Sequence, residues 1–337
     1  MKIGLDIMSG DNAPLSNING AIRYVKNSIS KDNTLVLYGS ENIIKNNSSL
    51  LKKYSKRIST FITTEIITME DSPSYSFKNK RNSSMIRIID DMKANIVHAA
   101  VSSGNTGALL TSSLLILGKI EGIRRPALAP FIPIGKKGFI LCDVGANSDN
   151  KPEHLLQFAF MSTAYIEHLD KISNPKIGLL NIGLEKNKGN QLMKSTYPLL
   201  ESNFKNFIGN IESRTLFDNK VDIVICDGFT GNIVLKLIEG TVSSMIKNTM
   251  KSINSHSLSK IVKPVLYPVF EDMRKSFDYE EHGGTPLLGV NGIVMKCHGS
   301  SNDKAIENAL LNTQKSYENN LIDDMKSVLN KNINEQN

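Results

Sequence analysis

Short polar side chains and one lysine crowd into the stretch CDVGANSDNKPEHLLQFA, residues 142–159. The stretch follows an apolar run and leads into apolar residues at helical spacing, so it joins a predicted strand to a predicted helix. Its amide, cationic and imidazole groups include Asn147, Lys151 and His154. Groups of these types at such a join indicate a site for a polar ligand.

Three other turns carry glycine together with short polar residues just before a predicted helix. Free amides and short hydroxyls at a helix N-terminus bind anions, although the same residues also serve as ordinary helix caps. The residues are Ser103, Gly104, Asn105, Thr106 and Gly107 in SSGNTGALL, Thr230, Gly231 and Asn232 in DGFTGNIVLK, and His298, Gly299 and Ser300 in KCHGSSNDKAI. So many turns of this kind in one chain favour a ligand that bears phosphate.

Two lysines, Lys186 and Lys188, precede the turn at Gly189. A lysine beside a backbone turn offers phosphate a fixed positive charge, and the alternative is a solvated side chain in a lysine-rich chain.

Carboxylates also occur in the predicted turns, at Asp6, Asp11, Asp143 and Asp149. They could hold a metal, but they are mixed with amides and fit helix caps and turns better. The chain has no Gly-x-x-x-x-Gly-Lys-Ser/Thr, no Gly-x-Gly-x-x-Gly after a strand, no Gly-x-Ser-x-Gly and no His-Glu-x-x-His. Nucleotide hydrolysis, a standard dinucleotide site and the common hydrolase sites are therefore disfavoured.

Composition narrows the class of protein further. The 337 residues, 40% of them hydrophobic, suffice for one large α/β domain or two modest ones. The net charge of +7 suits an acidic partner, but there is no Trp and no arginine-rich patch, so nucleic acid is not expected as a ligand. No apolar stretch reaches the roughly 18 residues that span a bilayer, and we expect a cytoplasmic protein without a signal peptide. Cys142, Cys226 and Cys297 lack zinc-site spacing and are expected to be reduced, buried thiols.

The order of apolar runs and turns predicts the fold class. Several apolar runs end in a Gly/Asn/Asp turn and then enter a helical pattern, which is typical of a largely parallel sheet covered by helices. In such folds ligands bind beyond the carboxyl ends of the strands, where these turns lie. Residues 241–280 differ in texture, with one apolar helix face followed by a proline-interrupted apolar run, and the last 17 residues are polar.

The longest motif blocks, in chain order, are LDIMSGDNAP, SSGNTGALL, RRPALAP, CDVGANSDNKPEHLLQFA, GLLNIG, KGN, NFIGNIESRTLFDNKVDIVICDGFTGNIVLK and GGTPLLGVNGIVMKCHGSSNDKAI. Over roughly residues 1–315 they resemble the PlsX family, the phosphate acyltransferases of bacterial phospholipid synthesis. The resemblance implies a three-layer α/β/α sandwich akin to isocitrate and isopropylmalate dehydrogenases and to phosphotransacetylases. It implies a single domain over residues 1–320 with a helical projection at 241–280, a polar tail at 321–337, and a homodimer.

The resemblance also implies a reaction, in which an acyl group passes from acyl carrier protein to inorganic phosphate. The acyl phosphate formed then serves a membrane glycerol-3-phosphate acyltransferase, and neither a metal nor an organic cofactor is required. On this basis the catalytic candidates are Lys188, Asn232, Asn147, Lys151 and His154. The substrate-binding candidates are Ser103, Gly104, Asn105, Thr106, Gly107, Asp11, Thr230, Gly231, His298, Gly299 and Ser300. Ser9 stands where the family usually has glycine, and Leu184, directly after Asn181-Ile182-Gly183, stands where the family has an acidic residue.

Other functions were weighed against this one. Within the enzyme class the alternative is a phosphate acetyl- or butyryltransferase that uses coenzyme A. A dehydrogenase on the same fold would need an adenine-binding signature, and a non-catalytic module that binds lipid or carrier protein would leave the anion-type turns unexplained.

Two surfaces are predicted for partners. Acyl carrier protein is acidic, and the candidates for docking it are Arg124, Arg125, Lys136 and Lys137. In the projection Val242, Met245, Ile246, Met250 and Ile253 form a face for a second copy. Candidates for shallow contact with an anionic membrane are Leu258, Ile261, Val262, Val265 and Leu266, flanked by Lys247, Lys251, Lys260 and Lys263. The expected location is therefore the cytoplasm with peripheral membrane association, and the alternative is that these apolar side chains only fill a dimer core.

Overall fold

A computed structural model describes residues 1–30, 32–135, 137–170, 172–255, 264–268 and 283–334. Its strands are β1 (Lys2–Asp6), β2 (Thr34–Gly39), β3 (Ile58–Ile62), β4 (Ala99–Ser102), β5 (Ala127–Leu128), β6 (Phe131–Ile134), β7 (Lys137–Cys142), β8 (Ile177–Asn181), β9 (Phe207–Glu212), β10 (Ile223–Ile225), β11 (Thr285–Leu288) and β12 (Ile293–Lys296). Its helices are α1 (Leu15–Asn27), α2 (Glu41–Asn46), α3 (Ser48–Lys52), α4 (Pro73–Asn79), α5 (Ser84–Lys93), α6 (Thr106–Ile116), α7 (Pro152–Asp170), α8 (Gln191–Asn203), α9 (Gly228–Ser255), α10 (Asp303–Glu318) and α11 (Leu321–Asn334), with a 3₁₀ helix at Ser213–Asp218.

These elements fall into two compact units. Unit 1 contains Met1–Ala129, Phe160–Asn174 and Glu280–Asn337, and unit 2 contains Pro130–Ala159 and Pro175–Tyr279. The sequence predicts a single domain over residues 1–320, and the structure divides the same residues between the two units.

Unit 1 is built on a seven-stranded sheet in the order β3-β2-β1-β4-β12-β11-β5. The strands from β3 to β12 are parallel, whereas β11 is antiparallel to both of its neighbours. Ile3 and Leu5 of β1 are fully buried in a cluster with Ile306 of α10, and a Cβ atom on Gly4 between them would lie 2.6 Å from Ile88 of α5. Because successive residues of a strand point to opposite faces, helices cover both faces. The predicted α/β/α architecture is confirmed.

Unit 2 is built on a five-stranded sheet in the order β6-β7-β10-β8-β9. The strands β7, β10, β8 and β9 are parallel, and β6 is antiparallel to β7. The pairing of β8 with β9 is irregular, since Ile177 pairs with Phe207 but Leu179 pairs with Asn210. One extra residue in the edge strand β9 accounts for this shift.

Helix α9 is longer than the sequence suggests. It runs for 28 residues through Gly240 and past residue 241, the predicted start of a separate projection. A single glycine costs a helix only about 1 kcal/mol, which its neighbours can offset. Only Gly228 and Gly231 of α9 are buried. Of the remaining projection, residues 264–268 form a helical turn, and 256–263 and 269–280 lie outside the described residues.

The segment predicted as a polar tail is largely helical. Residues Leu321, Met325 and Leu329 of α11 are buried, at a spacing of four, and Asp324 lies 2.6 Å from His168 of α7. Three apolar residues on one stripe are enough to bury one side of a helix that is otherwise polar. No helix within the described ranges is both long enough and apolar enough to cross a bilayer.

Candidate active site

The first corner, which comprises residues 8–12, 103–107 and 297–302, lies at the carboxyl edge of the unit 1 sheet. The strands β1, β4 and β12 are neighbours there, so the loops that follow them meet. The Asp11 N–H donates to the Gly299 carbonyl (2.7 Å), and the Ser103 hydroxyl donates to the Ser9 carbonyl (2.7 Å). Three motifs that are far apart in sequence are thereby joined, including the site at which Ser9 departs from the family pattern.

Asn105 in this corner is fully engaged with backbone. Its Oδ1 accepts the Ala108 N–H (3.0 Å) and so caps α6. Its Nδ2 donates to the carbonyls of Thr68, Met69 and Asp71. Asn105 therefore holds the 68–71 loop against α6, and the neighbouring candidates Thr106 and Gly107 form the first turn of that helix. Gly104 is buried, and a Cβ atom there would lie 2.8 Å from Ser9 Oγ.

His298 and Ser300 are exposed at the same corner. The Ser300 N–H donates to His298 Nδ1 (3.2 Å), and Ser300 Oγ lies 2.7 Å from the same nitrogen. Because a backbone N–H can only donate, Nδ1 acts as an acceptor and a neutral ring carries its proton on Nε2. Asn12 fixes the turn by donating to the Ser300 carbonyl (2.9 Å).

The second corner, which comprises residues 143–151, 182–190 and 226–232, lies at the carboxyl edge of the unit 2 sheet, where β7, β10 and β8 are neighbours. Asp143 is fully buried there. Its Oδ2 accepts both the backbone N–H and the side-chain amide of Asn147 (2.9 Å each), and its Oδ1 accepts the Ala146 N–H (3.2 Å). Asp143 thus organises the turn, and the Asn147 amide, a predicted donor to phosphate, is directed at this carboxylate.

The start of α9 packs directly on the same turn. A Cβ atom on Gly231 would overlap the Asp143 carbonyl oxygen, so only glycine permits this approach. Asp227 caps the helix, because its carboxylate accepts the Thr230 N–H (2.9 Å) and the Thr230 hydroxyl (2.7 Å). The donors of Thr230, predicted for substrate, are therefore used within the helix cap. Asn232 on the first turn faces the 143–147 turn, since a Cβ atom on Gly145 would lie 3.4 Å from its Cγ.

Helix α7 begins at Pro152, as the sequence predicts. His154 is buried, and its Nδ1 accepts the Lys151 N–H (3.1 Å). His154 therefore caps the helix, while the Lys151 side chain is exposed.

The two lysines of the loop 182–190 in the second corner have different surroundings. Lys186 pairs with Glu201, and its Nζ lies 5.4 Å from the centre of the Tyr197 ring. The hydrogen bond that Lys186 donates to the Glu201 carboxylate raises the pKa of Lys186. Lys188 is 48% exposed, and its Nζ lies 3.8 Å from the Glu185 carboxylate. Each lysine of this loop thus has a carboxylate within ion-pair distance, and the pair of Lys188 with Glu185 is the longer of the two.

The chain matches a model of the fatty acid synthesis protein family over residues 1–323. It is 44% identical over 302 residues to the phosphate acyltransferase of Halalkalibacterium halodurans, which covers 89% of this chain and 88% of the relative. The chain belongs to the PlsX family of phosphate acyltransferases. The phosphate acyltransferase of Clostridium kluyveri is 42% identical over 335 residues, 98% of each chain. This PlsX chain is therefore an acyltransferase.

Solved structures share the fold of this PlsX protein at low sequence identity. A phosphotransacetylase from Streptococcus pyogenes superposes with a TM-score of 0.62 at 14% identity, covering 94% of each chain. A 4-hydroxythreonine-4-phosphate dehydrogenase from Klebsiella pneumoniae gives 0.53 at 9% identity, covering 93% of this chain and 98% of its own. At such identities the likeness concerns the fold.

The thiols of this PlsX chain are withdrawn from solvent. Cys142, Cys226 and Cys297 are all buried, and burial raises the pKa of the Cys226 thiol well above its ordinary value. The Cys226 thiol also donates to the Asp143 carbonyl (3.4 Å). Within the described part of the chain, no three His, Cys, Asp or Glu side chains are grouped so that they could hold a metal.

Sequence reasoning missed three residues that shape the second corner, namely Asp227, Asn181 and Asn210. Asp227 stands in the CDG turn before α9, a position typical of a helix cap. Asn181 and Asn210 stand in the blocks GLLNIG and NFIGNIESR. Both blocks carry the family resemblance, but neither asparagine is among the candidate site residues predicted from the sequence. Their contacts depend on strand pairing, which a local motif does not reveal.

Proposed function

We propose that this PlsX chain transfers a fatty acyl group from acyl carrier protein to inorganic phosphate and releases acyl phosphate. The observation that carries the proposal is the second corner, where Lys188, Lys151 and Asn232 stand at one sheet edge while the thiols are buried. Such a corner offers an anion positive charge and an amide donor, while its cysteine, Cys226, is buried.

In the proposed step a phosphate oxygen attacks the thioester carbonyl carbon. The carbon–sulfur bond breaks, the proton of the attacking hydrogen phosphate passes to the thiolate, and the products are acyl phosphate and the thiol of the carrier protein. Phosphate is its own nucleophile, so the protein has to position it and stabilise charge on the carbonyl oxygen. We assign phosphate binding to Lys188 and Lys151 and the oxyanion to the Asn232 amide. Asn147 and His154 hold the turn through Asp143 and the start of α7.

The first corner contributes substrate contacts in this proposal. His298 and Ser300 are exposed there and are joined to Asp11 through Gly299. Ser103, Gly104 and Asn105 shape the loop that lies beside them.

The partners follow from surface chemistry. Arg124, Arg125 and Lys137 are exposed and suit an acidic carrier protein, whereas Lys136 lies outside the described residues. A homodimer is proposed through α9, because Met245 is 55% exposed on a helix that buries only two glycines.

Membrane contact and delivery to a membrane glycerol-3-phosphate acyltransferase are also proposed. In the turn 264–268 Val265 is 69% exposed and Leu266 is partly exposed. The other candidates, Leu258, Ile261 and Val262, lie outside the described residues.

The test supplies purified protein with phosphate and either acyl carrier protein loaded with a long acyl chain or the matching acyl coenzyme A. Hydroxylamine traps acyl phosphate as a hydroxamate, and omission of phosphate is the control. Phosphate-dependent hydroxamate with the highest kcat/KM on the carrier protein is expected. Turnover confined to acetyl or butyryl coenzyme A would instead establish the coenzyme A alternative.

A further inference from the structure

Two asparagines on neighbouring strands of unit 2 hold the backbone of the loop that carries Lys188. The Asn181 Nδ2, at the end of β8, donates to the Lys188 carbonyl (3.1 Å). The Asn210 Nδ2, in β9, donates to the Glu185 carbonyl (2.8 Å). The Lys188 N–H donates to that same Glu185 carbonyl (3.1 Å). Lys188 is thus tied through both of its backbone groups.

The irregular pairing of β9 is what brings Asn210 to this loop. Paired residues of parallel strands place their side chains on the same face, and a shift of one residue reverses the face. A regular register continued from Ile177 and Phe207 would set Asn210 opposite Leu180. In the structure Asn210 is opposite Leu179, which shares a face with Asn181. The extra residue therefore turns both amides to one face of the sheet.

Two glycines make this arrangement possible. Gly209 has φ +93°, in the left-handed region that favours glycine, as in bulges that begin with glycine. Gly189, directly after Lys188, has φ +88°, and a Cβ atom there would overlap Asn181 Oδ1. The bulge and the loop that it serves each depend on a residue without a side chain.

The burial of Asn210 is costly for a residue with only a structural role. Asn210 is 5% exposed, and within the described residues its Oδ1 has no hydrogen-bond partner. A buried acceptor left unpaired destabilises the fold, whereas an apolar side chain of similar size would not. The gain that offsets this cost is the bond to the Glu185 carbonyl.

We propose that Asn181 and Asn210 are positioning residues for Lys188, an asparagine clamp that the bulge at Gly209 completes. The proposal rests on the proposed function in one respect, namely that Lys188 binds phosphate. The residues of GLLNIG and NFIGNIESR take no direct part in the proposed reaction step. The proposal gives these two blocks the role of holding the loop that carries Lys188.

The first test is Asn181→Asp and Asn210→Asp, each nearly isosteric but with an oxygen facing the backbone carbonyl in place of a donor. The matched control is Asn203→Asp in the same unit, whose Nδ2 donates to the Leu199 carbonyl (2.8 Å) in α8. We expect kcat/KM for phosphate to fall by about 10- to 100-fold in the clamp variants, as for a displaced catalytic group. The KM for the acyl donor and all parameters of Asn203→Asp should stay close to wild type.

A double-mutant cycle separates positioning from general destabilisation. In a Lys188→Ala background the clamp substitutions should cost almost nothing further, because they act through the missing lysine. Full additivity, or unchanged phosphate kinetics in both single variants, would overturn the clamp. The assay uses whichever thioester the wild-type enzyme turns over, so failure with acyl carrier protein bears on the proposed donor and leaves the clamp testable.

Amide hydrogen exchange provides a readout that does not depend on activity. Asn181→Ser and Asn210→Ser remove the contacts without adding charge, and they serve if the Asp variants do not fold. Faster exchange in residues 183–189, with β7 and β10 unchanged, is expected. Exchange in that loop equal to wild type would contradict the clamp.

Discussion

Lys188 and Lys186 lie two positions apart in one loop but in different surroundings, and this difference yields a matched pair of variants. Lys188→Ala should lower kcat/KM for phosphate by about 10- to 1000-fold, the range for one positioned electrostatic group. Lys186→Ala removes the same charge from a residue that is paired with Glu201 on the surface, and such pairs contribute little. Steady-state kinetics at varied phosphate measures both. Equal losses in the two variants, or a fully active Lys188→Ala, would show that Lys188 has no specific role in binding phosphate.

The buried thiol of Cys226 predicts a dependence of stability on pH. Burial raises its pKa above the ordinary value of 9.0, with Cys142 and the carboxylates of Asp143 and Asp227 adding to the effect. A raised folded pKa gives stability that is complete below the unfolded pKa and is lost as pH rises towards the folded value. The Tm should therefore fall as pH rises above about 9, and less steeply in Cys226→Ala.

Thermal unfolding between pH 7 and pH 10 measures this slope. Cys226→Ser, which also cannot form a thiolate, should behave like Cys226→Ala. The pKa values of Tyr24 and Tyr38 are raised by burial too, so part of the slope should remain. An identical slope in wild type and both variants would contradict the role of the thiol.

At the residue level the sequence indicates which turns gather at a site, but it does not reveal how each donor is used. Asn147 and Thr230 were predicted as donors to phosphate, and their hydrogen bonds go to Asp143 and Asp227. The residue types are the same for a helix cap and for an anion site, so only the geometry separates them.

At the level of elements, α9 carries the prediction about assembly. The face proposed for a second copy consists of Val242, Met245, Ile246, Met250 and Ile253. Met245→Asp places a charge on this face. Sedimentation should change from the mass of two chains to the mass of one, because burying an unpaired carboxylate is costly. Ser244→Asp adds the same charge about 100° around the helix from Met245, and about half a turn from the centre of the proposed face, so it should leave the proposed dimer intact. A wild-type monomer, or a dimer that Met245→Asp leaves unchanged, would exclude this face.

Part of the succession of strands and helices could be predicted because several strands end at a Gly/Asn/Asp turn, namely β1, β4, β7, β8 and β10. Their division into two sheets could not be predicted, because apolar runs do not specify their partners. Strand β12 follows a segment of unit 2, yet it pairs with β4 of unit 1. The extra residue in β9 had one local sign, the glycine of IGN, which is equally typical of a turn.

At the level of the whole molecule, the net charge of +7 leads to a prediction about the proposed carrier-protein partner. The kcat/KM for acyl carrier protein should fall as salt is added, because opposite charges speed the encounter. Arg124→Glu combined with Arg125→Glu should lower kcat/KM for acyl carrier protein at low salt and weaken the dependence of kcat/KM on salt. Lys52→Glu combined with Lys53→Glu, at the C-terminal end of α3, makes the same change in net charge and should matter less. Insensitivity to salt would refute steering, and equal effects of the two pairs would refute this docking surface.

Contact with a membrane surface is a separate prediction. Val265→Glu should reduce co-sedimentation with vesicles that contain anionic lipid, because a carboxylate opposes shallow insertion. Soluble turnover should be unchanged, and Thr241→Glu on α9 is the control. Binding equal to wild type would contradict the contact, and dissociation of the dimer would assign Val265 to the subunit interface.

The chain passes between the two units at residues 129/130, 159/160, 174/175 and 279/280, and this governs the order in which they can be completed on the ribosome. The first 129 residues emerge early, but β12, which begins at Ile293 and lies between β4 and β11, is made only after about 165 further residues. At about 5–20 residues per second this interval lasts roughly 8–33 s. During that time β4 is an open sheet edge, available for pairing with another nascent chain. The larger sheet, although it starts first, is the last to close.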